Sequence, residues 1–272
     1  MLSLGHISYS NCYPVHGRLL ELGPPPSLRL VHGVPGQLNA LLELGEIDVA
    51  PASSIEYARH ADRYRALPGL SISAFGPVQT IQFLARTPID ELTDGSRIAL
   101  PTSSATSVVL LKITLTQRVG IRPVYSWFDQ ESEDPLASGV DGALFIGDIA
   151  HRQAARAGFH AHDLGEIWRD WTGLPFVFAL WQTGAGRERD DELTQLTGEL
   201  HASREWSMKR LPQLSERLAP GFGWPAAGLL SYWRSLDFGW SADLAAGLDE
   251  FYRRAAEIGA LERALVPSFV EA

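Results

Sequence analysis

Short apolar runs of strand length alternate with helix-period segments along this chain, and that alternation constrains it most, because layered α/β architecture satisfies it and little else does. Residues 2–8 read as a first strand, Tyr13-Pro14 open a helix to about residue 22, and Pro24-Pro25-Pro26 end it. A strand over 28–34 follows, then a helix opened by Pro35 with apolar positions Leu38, Leu41, Leu42 and Leu44, closed by Gly45. Residues 46–51 form a third strand, and Ser53-Ser54 cap the next helix. A second set of units runs through strand 81–86, strand 97–100, helix 104–119 and strand 142–146. After strand 176–181 the chain reads as helical over 192–210, 225–235 and 241–260. The alternation predicts largely parallel sheets.

The segments 81–86 and 176–181 act as crossings, so the middle of the chain reads as inserted into the rest. The expected organisation is a discontinuous α/β lobe made of 1–83 and 179–272, a second α/β lobe made of 84–178, and a ligand cleft between them. With 45% hydrophobic residues in 272, there is apolar surface enough for one or two cores.

Charge and residue counts narrow the function. A net charge of −9 leaves no electrostatic footprint for nucleic acid or an anionic membrane, so neither is expected as a partner. Lysine occurs only at 112 and 209 and cysteine only at 12, which disfavours Schiff-base chemistry and excludes an internal disulfide or a multi-cysteine metal cluster. No basic segment followed by an apolar stretch opens the chain, and no apolar run approaches the ~20 residues of a membrane span. A cytoplasmic location is expected. The sequence sets no oligomeric state.

The candidate chemistry sits where strands run into helices, the place α/β proteins put ligands. In Gly5-His6-Ile7-Ser8-Tyr9-Ser10-Asn11-Cys12, Asn11 is either a helix N-cap or the polar group that faces the cleft. Cys12 reads as a small buried filler, with no histidine or cation evident beside it. Thr102-Ser103-Ser104-Ala105-Thr106-Ser107 places five hydroxyls at a helix start, where free N–H groups and the positive dipole end suit a carboxylate or phosphate. The segment lacks the glycines and lysine of a P-loop, so a nucleoside triphosphate is disfavoured. Thr80 lies at the first crossing, and Gly147-Asp148 follow strand 142–146; Asp148 either binds a ligand hydroxyl or caps a helix. Ser53 and Ser54 join Ser103, Ser104, Thr106, Gly147 and Asp148 as substrate-binding candidates. His160-Ala161-His162-Asp163 is the close histidine cluster, but it has no third ligand at a defined spacing, so no metal is expected. Trp168 and Trp171 read as packing.

Four blocks, G-H-I-S-Y-S-N-C-Y-P at 5–14, G-E-I-D-V-A-P-A-S-S-I-E-Y at 45–57, S-A-T-S-V at 104–108 and D-L-G-E-I-W-R-D-W-T-G-L-P-F-V-F-A-L-W at 163–181, resemble the MqnA family. These are the chorismate dehydratases of the futalosine route to menaquinone. The resemblance implies a two-lobe periplasmic-binding-protein-like (type II) fold with two crossover hinge strands. It also implies elimination of water from chorismate, a small dicarboxylate, to give 3-[(1-carboxyvinyl)oxy]benzoate without a cofactor. The family's active-site asparagine matches Asn11, and its hydroxyl residue at the crossing, commonly serine, matches Thr80; the two are the expected catalytic residues. Two alternatives share the fold: the related MqnD-type cyclase, expected to use a cleft histidine, and a non-catalytic solute receptor.

Overall fold

The structure, a computed structural model, describes residues 1–186 and 188–271. Its strands are β1 (Leu2–Ile7), β2 (Leu28–Gly33), β3 (Val49–Ser53), β4 (Tyr64–Ala74), β5 (Ile81–Ala85), β6 (Arg97–Pro101), β7 (Val124–Phe128), β8 (Gly142–Ile146), β9 (His160–Asp163), β10 (Phe176–Gly184) and β11 (Leu236–Asp237). The helices are α1 (Tyr13–Leu22), α2 (Pro35–Glu43), α3 (Ser54–Arg59), α4 (Thr106–Ile113), α5 (Gly147–Gln153), α6 (Leu164–Thr172), α7 (Asp190–Met208), α8 (Leu211–Phe222), α9 (Ala226–Ser235) and α10 (Ala242–Glu257).

Two sheets result, one ordered β11-β4-β10-β3-β1-β2 and the other β7-β6-β8-β5-β9. Within the first, β1 pairs parallel with β2 and β3, while β10 runs antiparallel to both β3 and β4. The second has the same mixture, β6 parallel to β7 and β8, and β5 antiparallel to β8 and β9. The sheets are therefore mixed rather than largely parallel. The βαβ units supply the parallel pairs, and the strands adjoining the passages between sheets run against them.

Those passages lie outside the strands. β5 pairs along its whole length in the second sheet and β10 in the first, so sheet membership changes between Ala74 and Ile81 and between Asp163 and Phe176. The expected divisions at 83/84 and 178/179 fall inside β5 and β10.

Alternating side chains of the second sheet serve two apolar layers. Phe83, Ile98, Leu100, Leu144 and Ile146 join the main core, which is continuous with the first sheet. Leu84, Ala99, Ala143 and Phe145 face the opposite way, under Leu136, Ile149 and Ala150. Trp168 and Trp181 are buried in the main core. No helix among the described residues is long and apolar enough to cross a membrane.

The strands absent from the sequence reading are β7, β9, β11 and β4, the last the longest in the first sheet. Its Pro68-Gly69 pair reads as a turn. In the fold these residues sit in an irregularity of the β4–β10 ladder, Gly69 at φ +70°, while the flanking residues stay paired.

Candidate active site

The carboxyl ends of β1, β3, β6 and β8 converge on one cleft between the sheets. Its walls include Tyr9, Asn11, Ser53, Ser104, Thr106, Ser107 and Gly147. Ile7, Ile72, Ile81, Ile146 and Phe178 supply an apolar bed. Small-molecule sites are mostly apolar, with a few convergent polar groups.

Asn11 occupies a single 3₁₀ turn, Ser10–Cys12, between β1 and α1. It is not a cap: neither the turn nor α1 has a side-chain capping bond. Its Oδ1 is buried without a hydrogen-bond partner. An unpaired buried amide oxygen costs roughly 1–3 kcal/mol, which is tolerable where a ligand completes it.

On the facing wall, Thr106 begins α4, and its Oγ1 accepts from the Ile55 N–H (3.2 Å) and meets Ser54 Oγ (3.3 Å). Through it the starts of α3 and α4 abut across the cleft. The first N–H groups of α4 have no intrahelical acceptor. A carboxylate placed there gains those donors and the dipole end together. Ser53 is set by Asn39 of α2, whose amide bonds its N–H and Oγ, both at 3.2 Å.

Asn11, Ser53, Ser104, Thr106 and Gly147 thus line one cleft. Four other candidates do not line the cleft. Ser54 is buried and donates to Val177 O (2.8 Å). Ser103 is buried against the Tyr9 phenol. Thr80 is buried with Oγ1 paired to the Tyr232 hydroxyl (2.9 Å). Asp148, the fourth, is neither a cap nor open to a ligand, because Ser10 N–H (2.9 Å), Ser10 Oγ (2.5 Å) and Trp224 Nε1 (2.7 Å) all donate to it.

Thr80 also ends a tight three-residue turn. Its N–H donates to Val78 O (2.7 Å) around Gln79, the one non-glycine described residue at positive φ, +60°. Such γ-turns are strained. Asp163 holds this one, accepting from the N–H groups of Val78 (3.0 Å) and Gln79 (2.6 Å), from Gln82 Nε2 (2.8 Å) and from the N–H groups that start α6. Burial pushes the Asp163 carboxyl above its usual range, and those N–H bonds oppose the shift.

Tyr9 was not singled out in the sequence, yet it is the one titratable side chain among the described cleft-lining residues. Gln130 donates to its oxygen (2.9 Å), and Gln130 in turn bonds both the N–H and the C=O of Ile146. Burial, then the nearby Glu131 charge, push the phenol up to about 12, so it stays protonated. None of Arg18, Arg86 and Arg152 lines the cleft: Arg18 pairs with Glu199, Arg86 with Val140 O and Leu136 O, and Arg152 with Phe222 O.

Metal-ligand chemistry gathers elsewhere. Beside β9, the Ile89 N–H donates to His162 Nε2 (3.2 Å), and Asp163 is spent as described. His6, Cys12 and His16 form a buried group with ligand atoms within 4.8 Å of one another. Contrary to expectation, Cys12 does have a histidine beside it, His16 Nδ1 at 3.6 Å. Burial nevertheless pushes the thiol up to about 12, because that histidine is neutral. The Trp181 indole can only donate, and it meets His16 Nε2 at 3.0 Å. The His16 proton therefore sits on Nδ1 and points at His6 Nδ1, 3.0 Å away. A metal on His16 Nδ1 would force a proton onto Nε2, facing the indole N–H, so these residues do not fit an ion as folded.

This arrangement, two mixed α/β sheets joined by two passages and closed on a cleft, is the fold of two-lobe ligand-binding proteins. A protein of Archaeoglobus fulgidus superposes with a TM-score of 0.78 at 19% identity, over 96% of this chain and 98% of that one. The periplasmic aliphatic sulphonate binding protein SsuA from Escherichia coli superposes at 0.65 and 16% identity, over 100% and 94%. The family is set by sequence. A profile described as "Menaquinone biosynthesis" matches residues 2–257. The chorismate dehydratase of Thermus thermophilus is 34% identical over 236 residues, 81% of this chain and 82% of that protein. The chain belongs to this menaquinone-biosynthesis family.

Proposed function

We propose that the protein is a chorismate dehydratase, a hydro-lyase whose cleft aromatises the substrate ring without a protein base. The observation that carries this reading is the partnerless Asn11 Oδ1, buried in a cleft of hydroxyls, helix N-termini and an apolar bed. The sequence likeness to a chorismate dehydratase supports the same reaction.

The chemistry follows from what the cleft offers. The ring lies on the isoleucines and Phe178, and its carboxylate takes the start of α4 with Ser104, Thr106 and Ser107. The C3 proton is vinylogous to that carboxylate, so charge released at C3 spreads onto it as it develops. Donors already fixed there stabilise the developing charge without reorganising. Apart from the protonated Tyr9, no titratable side chain is among the described lining residues, which leaves the substrate's own enolpyruvyl carboxylate to take the C3 proton. The electron pair moves into the ring and expels the C4 hydroxide, which collects that proton and departs as water.

Asn11 holds the enolpyruvyl carboxylate and the departing hydroxyl. Thr80 is the second polar contact in this proposal; its hydroxyl reaches substrate by exchanging its bond to Tyr232. Ser53 and the Gly147 backbone complete the walls. The proposal carries with it a cytoplasmic location and two lobes divided within 75–80 and 164–175.

The test is direct. Purified protein incubated with chorismate yields an aromatic product visible in the ultraviolet, and Asn11→Ala abolishes turnover while chorismate still binds. Unchanged chorismate would identify a receptor. Turnover of dehypoxanthine futalosine in its place would identify the cyclase, a reading that the absence of histidine from the described cleft walls disfavours.

A further inference from the structure

We propose that Asp148 is the positioning residue for Asn11, reaching across the cleft to hold its turn, so that Asn11 is placed for reaction only when the two lobes are together. The inference rests on the dehydratase reading. Asp148 begins α5 at the end of β8 in the second sheet, whereas Ser10 and Asn11 follow β1 in the first.

Ser10 is fixed at every polar group it has. Its N–H and hydroxyl both donate to the Asp148 carboxylate, and its carbonyl accepts from the Trp233 indole (2.8 Å). The residue is fully buried. With Ser10 immobilised on both sides, the next residue, Asn11, has its backbone direction set, and its side chain is left with an unpaired oxygen in the cleft. Asp148 is held in turn by the Trp224 indole, whose ring stacks on Tyr232 (4.9 Å between centroids). Tyr232 is the partner of Thr80, and the Thr80 carbonyl accepts from the Gly147 N–H (2.9 Å). Buried hydrogen bonds, the Trp224–Tyr232 ring stack and the backbone from Ser10 to Asn11 therefore link Asn11 and Thr80 through Asp148.

Three donors converge on this carboxylate, so a carboxamide cannot replace it. Its NH₂ would face an N–H or O–H in every orientation. Displacing a reacting group by an ångström commonly costs about 100-fold in rate.

The experiment measures kcat and the chorismate dissociation constant for the wild type, Asp148→Asn, Ser10→Ala, Trp224→Phe and the Ser10→Ala/Asp148→Asn double variant. Trp224→Phe keeps an aromatic ring against Tyr232 and removes one donor, so it reports even where Asp148→Asn fails to fold. Asp148→Asn is expected to lower kcat at least about 30-fold with the dissociation constant changed less than about threefold, and Trp224→Phe to lower kcat about 3–10-fold. The double variant is expected to match Asp148→Asn alone, because both changes release the same turn. The inference is overturned if the folded variants keep wild-type kcat, if the loss lies in binding, or if the two changes multiply. A wild type that leaves chorismate unchanged would sink the dehydratase reading instead, a result the variants cannot mimic.

Discussion

Gly147→Ala should damage this protein in two separable ways, and the sizes follow from geometry. Gly147 sits at φ +67°, in the left-handed region, and a β-carbon built there meets the Tyr9 ring at 2.7 Å. The backbone term is roughly 1–2 kcal/mol for a residue with a β-carbon. The collision adds about 1–3 kcal/mol, typical of overpacking, because Gln130 prevents Tyr9 from retreating freely. The total of about 2–5 kcal/mol should lower Tm by roughly 5–15 °C at this chain size. Thermal unfolding followed by circular dichroism measures it, in the wild type and in a Tyr9→Ala background. With the ring gone the alanine should cost only the backbone share, about 1–2 kcal/mol. An equal cost in both backgrounds refutes the close approach of Tyr9 to Gly147, and with it the cleft geometry described.

Other outcomes follow from the same structure. His6, pushed down to about 3 by burial and then by the His32 charge, stays neutral in the folded protein while the unfolded chain protonates it below about pH 6.5. Stability should therefore fall as pH drops from about 6.5 towards 3, by ~1.4 kcal/mol per pH unit for this group, with the fully buried His16 adding to the slope. Urea midpoints at pH 7, 6 and 5 should show that slope, and His6→Gln should flatten it; a flat wild-type profile would contradict the neutral pair. Thr80→Ser should keep most of the activity and Thr80→Val should lose at least about tenfold, since only the serine keeps a hydroxyl that can exchange its Tyr232 bond for one to substrate. Equal activity of the two would remove Thr80 from the mechanism. Asp163→Asn should lower Tm and slow turnover together, because one oxygen that receives both the Gln79 N–H and Gln82 Nε2 becomes a donor wherever the amide points that way. Unchanged Tm would show that the turn needs no carboxylate.

The legible parts of this molecule are those decided locally. Proline and glycine marked the ends of α1 and α2, and apolar runs marked β1, β2 and β8. The strand-to-helix junctions at Asn11, Ser53 and Ser104–Thr106 pointed at the cleft because ligand sites in such folds form at strand ends. β4 was hidden because Pro68-Gly69 carries a turn signal that pairing with β10 overrides. β9, H-A-H-D, was read for its ligands rather than its alternation, and it is a short edge strand on β5. Asp148 shows the limit most clearly. A Gly-Asp pair after a strand reads as ligand or cap, and what decides otherwise is Ser10, 138 residues away, and Trp224, 76 residues away. Tyr9 was equally opaque, since its role depends on Gln130, 121 residues along the chain.

The central claim is that this cleft removes water from chorismate by arranging the substrate around Asn11. Purified protein and chorismate, followed by ultraviolet absorbance and mass spectrometry beside the Asn11→Ala variant, test it most directly. The account predicts catalytic formation of an aromatic product lighter by one water, dependent on Asn11, with chorismate still bound by the variant. Chorismate recovered intact from the wild type, or the same product formed at the same rate by Asn11→Ala, would contradict it.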